Sequence, residues 1–174
     1  MREHRLFVEG KPTWYKLQPG LREEVVDVKK YGKLIVGTIE QDFSGAYSGT
    51  NKFTFIKDRG KVYVSDAGPP YKVVGNSVVV SPYSPFPCVI GYSDAVIYRA
   101  GKFTHVSIAT GLSGFDGKTV TGWFCCDSKG KPLMCIEFGE TYEAYGQAFK
   151  WTDGKRKLLE RVRLRQSSNT YVWP

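Results

Sequence analysis

The chain lacks any apolar run of about eighteen residues, the length a helix needs to cross a bilayer. No helical membrane span is therefore expected. Its opening, MREHRLFVEG, alternates charged and apolar residues. That is not the basic-then-apolar pattern of a signal peptide, so secretion is not expected either. Histidine is scarce: His4 and His105 are the two. A phosphoesterase built on two H-x-S/T motifs needs both, and only His105-Val106-Ser107 fits. The four cysteines, Cys88, Cys125, Cys126 and Cys135, include no C-x-x-C pair. Structural zinc sites usually show that spacing, so neither a metal nor a cofactor is expected. All four thiols are expected to be reduced, in a reducing compartment or a virion. No G-x-S-x-G elbow occurs. The phosphate-loop pattern G-x-x-x-x-G-K-[ST] fails at Gly111 to Thr119, GLSGFDGKT, because Gly111 sits one residue too early. These absences favour a non-enzymatic protein.

What the chain does have is aromatic residues and glycine: 11 Tyr, 10 Phe, 4 Trp and 19 Gly. That mixture favours pleated sheet with tight turns over helix. The dipeptide Gly-Lys recurs at Gly10, Gly32, Gly60, Gly101, Gly117, Gly130 and Gly154. Glycine supplies the positive φ that hairpin turns require, and lysine is well solvated there. Between these punctuation points run short alternating or apolar segments, among them KLIVGTIE, KFTFIK, KVYVS, SVVVS, DAVIYR, FTHVSIAT and KTVTGWFCC. About a dozen such strands and little helix predict one all-β domain, residues 1–174. An antiparallel β-sandwich, jelly-roll-like, or a closed barrel would avoid long open edges. The expected core comprises Phe7, Trp14, Val36, Phe53, Phe55, Val64, Val79, Val96, Tyr98, Val106, Ile108, Trp123 and Ile136. The proline-rich stretch SPYSPFPCV, residues 81–89, reads as a loop or crossover.

The formal charge of +8 is concentrated. Lys150 to Arg165 holds seven basic and two acidic residues, so that one segment carries +5. Within it, Gly154 to Gln166 reads as a strand with Arg161, Arg163 and Arg165 on one face. A short helix with Leu158, Leu159 and Val162 along one side is the alternative. The candidate binding residues are Lys155, Arg156, Lys157, Arg161, Arg163 and Arg165, with Trp151, Tyr171 and Trp173 as aromatic neighbours. Arginines track phosphates and aromatics stack on bases, so a nucleic-acid-binding β-domain is one reading. Docking onto an acidic protein is the other. The tail NTYVWP, apolar and strand-like, is expected to pack against something.

Ser93 to Gly111, SDAVIYRAGKFTHVSIATG, resembles the strand pair around the histidine of NlpC/P60 and CHAP cysteine peptidases. Upstream, Gln41 to Tyr47 reads QDFSGAY, in register with that family's D-C-S-G segment. The resemblance implies a nucleophile at position 43, at the start of a helix. Position 43 is Phe43, and a phenyl ring cannot become a thiolate. It therefore implies an inactive relative, with His105 a strand residue.

The leading expectation is a structural or assembly protein, such as a viral or phage capsid, decoration or tail component. Its partners would be further copies of itself or other protein subunits, with nucleic acid as the alternative and no membrane.

Overall fold

The computed structural model describes residues 2–8, 11–17, 22–43, 49–65, 67–80, 90–91, 93–133, 135–136, 143–167 and 170–172. Among them are eighteen strands and no helix. They include three four-stranded antiparallel sheets, as in a sandwich-like all-β fold, which is the class the alternation predicts. The chain divides into two compact units.

The first unit holds residues 1–80 and the hairpin tip Tyr98–Phe103. Strands β1 (Arg2–Val8) and β2 (Lys11–Leu17) form a two-stranded hairpin. Strands β3 (Arg22–Tyr31), β4 (Leu34–Phe43), β5 (Gly49–Asp58) and β6 (Lys61–Val64) form a meander in sequence order. Ile35, Ile39 and Phe55 make a buried cluster on it, flanked by Val25, Phe53, Val62 and Val64. Strands β7 (Tyr71–Val74) and β8 (Ser77–Val80) add a hairpin, and all of β8 is buried.

Three turns of this unit are two-residue loops. Gly32-Lys33 joins β3 to β4, Arg59-Gly60 joins β5 to β6, and Gly75-Asn76 joins β7 to β8. Gly32 and Gly75 have φ of 57° and 59° at the first loop position. At Arg59-Gly60 both residues are left-handed, at 50° and 80°, the pattern of a type I′ turn.

In the second unit, residues 81–97 and 104–174, a four-stranded sheet runs in the order β12-β13-β15-β16. Its strands are β12 (Gly111–Phe115), β13 (Thr119–Cys126), β15 (Tyr145–Thr152) and β16 (Lys155–Arg163). Strands β9 (Ile90–Gly91) and β14 (Cys135–Ile136) pair briefly, as do β17 (Arg165–Ser167) and β18 (Thr170–Val172). The hairpin of β10 (Ser93–Arg99) and β11 (Lys102–Ala109) is divided between the units, its tip lying in the first. These two strands complete the third four-stranded sheet, ordered β7-β8-β10-β11.

Of the expected core, Val36, Phe55, Val79, Val96, Tyr98 and Val106 are buried. Phe53, Val64, Ile108 and Trp123 are partly exposed. The side chains of Phe7, Trp14 and Ile136 lie outside the described residues, as does the stretch 81–89 with Cys88. Every Gly-Lys glycine among the described residues has a positive φ, from 57° at Gly32 to 101° at Gly117. The glycine-rich β12 is a strand that alternation does not reveal.

Candidate functional site

The basic segment folds as a hairpin, not a helix. Its turn is Asp153-Gly154, with φ of 49° and 83°, the left-handed pair that the dipeptide Asp-Gly favours. That turn sets Lys155 opposite Thr152, Arg156 opposite Trp151, Lys157 opposite Lys150 and Leu158 opposite Phe149. A β-bulge then places Leu159 and Glu160 against Ala148 alone, and pairing resumes with Arg161 opposite Gln147.

The bulge reverses the alternation of β16. Before it, Arg156 and Leu158 share a face with the buried Trp151 and Phe149, and Lys155 and Lys157 take the other. After it, Arg161 and Arg163 lie on the Arg156 face. The inserted residue also takes ladder partners away from the backbone. Gln147, buried, restores them: its amide nitrogen donates to the carbonyls of Leu159 at 3.0 Å and Glu160 at 3.1 Å. Its Oε1 accepts from Arg161 Nε at 3.0 Å.

This geometry sorts the candidate residues. The Arg156 guanidinium lies over the Phe149 ring, 4.1 Å from its centre, and 5.4 Å from that of Phe124. It donates to the carbonyls of Ser107 and Ile108. Ile108 has φ of 58°, a conformation β-branched residues rarely adopt, so Arg156 clamps a strained bend. Burial lowers the Arg156 pKa, and Asp94 opposes that shift. Arg161 is held by Gln147 and by the Ser128 carbonyl at 2.9 Å. Arg163 pairs with Glu143 at 3.6 Å on the surface. Arg165 is exposed but belongs to β17, not to β16. Of the expected row of three arginines, Arg161 and Arg163 share one face of β16, and the break at Leu164 sets Arg165 on β17. Trp151 is buried in the sheet, so it packs and offers no stacking face. Tyr171 lies on β18, opposite Gln166, and its side chain and all of Trp173 fall outside the described residues.

The exposed residues of β16 form a mixed strip, which also holds Glu160, Arg161 and Arg163. Lys155 and Lys157 are exposed, with Lys150 beside Lys157. Leu158 and Leu159 are 54% and 46% exposed. β16 is the last strand of its sheet, so its outer edge has no strand partner among the described residues. Gln147 and the two leucines were not legible as a site. The available signals were a glutamine inside an apolar strand and a Leu-Leu pair, which strict alternation cannot bury together.

The other candidates resolve differently. His105 Nδ1 stands 3.6 Å from Asp94 Oδ2, beyond hydrogen-bond length, and both side chains are half exposed. Position 43 ends strand β4, where the peptidase resemblance implies a helix start, and residues 44–48 lie outside the described residues. In the near-phosphate loop, Asp116 Oδ1 accepts from the backbone N–H groups of Thr119 at 2.6 Å and Lys118 at 2.9 Å. Those bonds hold its carboxyl below the usual range, and they occupy donors a phosphate would need. Cys125 and Cys126 are free and buried. Burial, with Cys126 adding to it, pushes the Cys125 thiol up to about 12. Among the described residues no cluster of His, Cys, Asp and Glu could hold a metal ion.

Comparison with known proteins finds no family model, curated protein or solved structure that matches the chain.

Proposed function

We propose that the protein is a non-catalytic assembly subunit that holds an acidic segment of another protein along β16. The class of protein this suggests is a structural component of a larger assembly, such as a virus or phage particle. The observation that carries the reading is the β16 edge: nine residues at the end of a sheet, with Leu158 and Leu159 exposed beside Lys155 and Lys157. An added strand would take its main-chain hydrogen bonds from such an edge and its specificity from alternate side chains.

Charge argues for a different partner over a second copy. Antiparallel self-pairing centred on Leu159 sets Lys157 against Arg161 and Lys155 against Arg163. Like charges directly opposed across strands are destabilising, and edge lysines and bulges are common guards against self-pairing. An acidic strand with apolar residues between its carboxylates meets no such repulsion. Nucleic acid is less well served, because Arg156 and Arg161 are committed to the sheet.

The test is hydrogen exchange of the β16 amides, with mass in solution, for the protein alone and with an acidic alternating peptide or a short oligonucleotide. The reading expects peptide-dependent protection of β16, lost when the peptide is N-methylated along its pairing edge. Protection by the oligonucleotide and not the peptide would replace it with the nucleic-acid reading. Protection that grows with protein concentration alone would replace it with self-assembly.

A further inference from the structure

The first unit carries a second basic surface, built from residues scattered through the sequence. Lys33 and Arg59 come from two turns and Arg99 from the end of β10, and the three line one cleft of about 450 Å³. A recess of about 410 Å³ shares Lys33 and Arg59 with it and adds Lys30 and Lys57. One carboxylate, Asp58, lines the first cleft, and none lines the second. It is already engaged: the Tyr98 hydroxyl donates to Oδ2 at 2.7 Å, and Arg59 Nε lies 3.6 Å from Oδ1. Its side chain is only 11% exposed.

Arg59 carries a second signal. It occupies a left-handed position, φ 50°, at the first residue of a type I′ turn. Asn, Asp or Gly fills that position at less strain. Turn chemistry does not explain an arginine there. Placing a fork-shaped cation at the junction of two recesses does.

We propose that this turn cluster binds a compact polyphosphate-type anion, with one phosphoryl group in each recess and Arg59 and Lys33 between them. Two joined recesses suit an anion with at least two charged groups better than one phosphate. No aromatic side chain lines either recess among the described residues. Single-stranded nucleic acid is usually held by such stacking faces, so a small anion is favoured over a polymer. This inference is independent of the β16 reading, since every residue it uses belongs to the first unit.

Calorimetric titration with tripolyphosphate, inorganic phosphate and a short oligonucleotide, at fixed ionic strength, tests it. Tripolyphosphate should bind at least about tenfold more tightly than phosphate, as expected for added charge-assisted bonds. Arg59→Asn and Lys33→Gln should each weaken it by about five- to tenfold. Arg59→Asn should also raise the melting temperature, because Asn tolerates the left-handed position, so lost binding cannot be mistaken for unfolding. Lys129→Gln, on an exposed turn of the second unit, should change nothing. Equal weakening by Lys129→Gln, or no preference for tripolyphosphate over phosphate, would overturn the site. Tighter binding of the oligonucleotide, lost in Arg59→Asn, would overturn the small-anion assignment.

Discussion

The Arg156 guanidinium sits 4.1 Å from the centre of the Phe149 ring while bonding the carbonyls of Ser107 and Ile108. One side chain thus joins β16, β15 and the strained end of β11. Arg156→Ala should destabilise the protein by about 2–4 kcal/mol, from a lost cation–π contact and two carbonyls left without their donor. Arg156→Lys should recover less than half of that, since an ammonium cannot present a planar fork. Urea denaturation of the two variants checks this, and equal stability of Arg156→Ala and the parent would refute it.

Gln147 should behave as a keystone of the bulge. Gln147→Ala removes the side-chain donor from the Leu159 and Glu160 carbonyls and the acceptor from Arg161 Nε, leaving Arg161 its bond to the Ser128 carbonyl. A loss of about 1–3 kcal/mol is expected, with faster hydrogen exchange along β16. Exchange that quickens evenly through the sheet would instead indicate general loosening.

Stability should fall in alkali. The folded Cys125 pKa, raised to about 12 by burial, exceeds that of an unfolded cysteine, about 8.5. Its contribution is fully present below the unfolded value and is lost as pH rises through the folded one. Tyr98, raised by burial and by its bond to Asp58, acts with the same sign at higher pH. Between pH 7 and about 10.5, Cys125 alone should remove about 2–3 kcal/mol. Cys125→Ala should flatten that part of the profile. A native thiol at this position should also resist alkylation until the protein unfolds.

Gly37 is a packing position. A Cβ there would stand 2.6 Å from the Phe55 ring, inside the buried cluster of the first unit. Gly37→Ala should cost about 1–3 kcal/mol. Thermal unfolding would reveal it, and an unchanged melting temperature would mean that Phe55 yields freely.

His105 should be dispensable for stability. Its pairing with Asp94 is long and half exposed, and such pairs contribute little. His105→Gln should stay within about 0.5 kcal/mol of the parent in denaturation.

Much of the architecture follows from local chemistry that a single chain displays. Gly-Lys and Asp-Gly steps encode left-handed turn residues, and alternating side chains encode strands on either side of them. Hence the hairpins at Gly32, Gly60, Gly101 and Gly154 and the strand from Lys155 were legible, because turn geometry and pleat depend on near neighbours. The bulge opposite Ala148 was not, because it arises from how two strands pair, and neither strand alone fixes that register.

The basic residues divide along the same line. Sequence alone determined that arginines crowd Lys150 to Arg165. Tertiary structure decided that Arg156 is held by Phe149 and distant carbonyls, that Arg161, still exposed, is tied to Gln147 and Ser128, and that Leu158 and Leu159 stay exposed. It also decided that Lys30, Lys33, Lys57, Arg59 and Arg99, unremarkable where they stand in the chain, line two joined recesses. Neighbouring hairpins bring their turns to one end of the unit, and a charge acts through distance in space, not through separation along the chain.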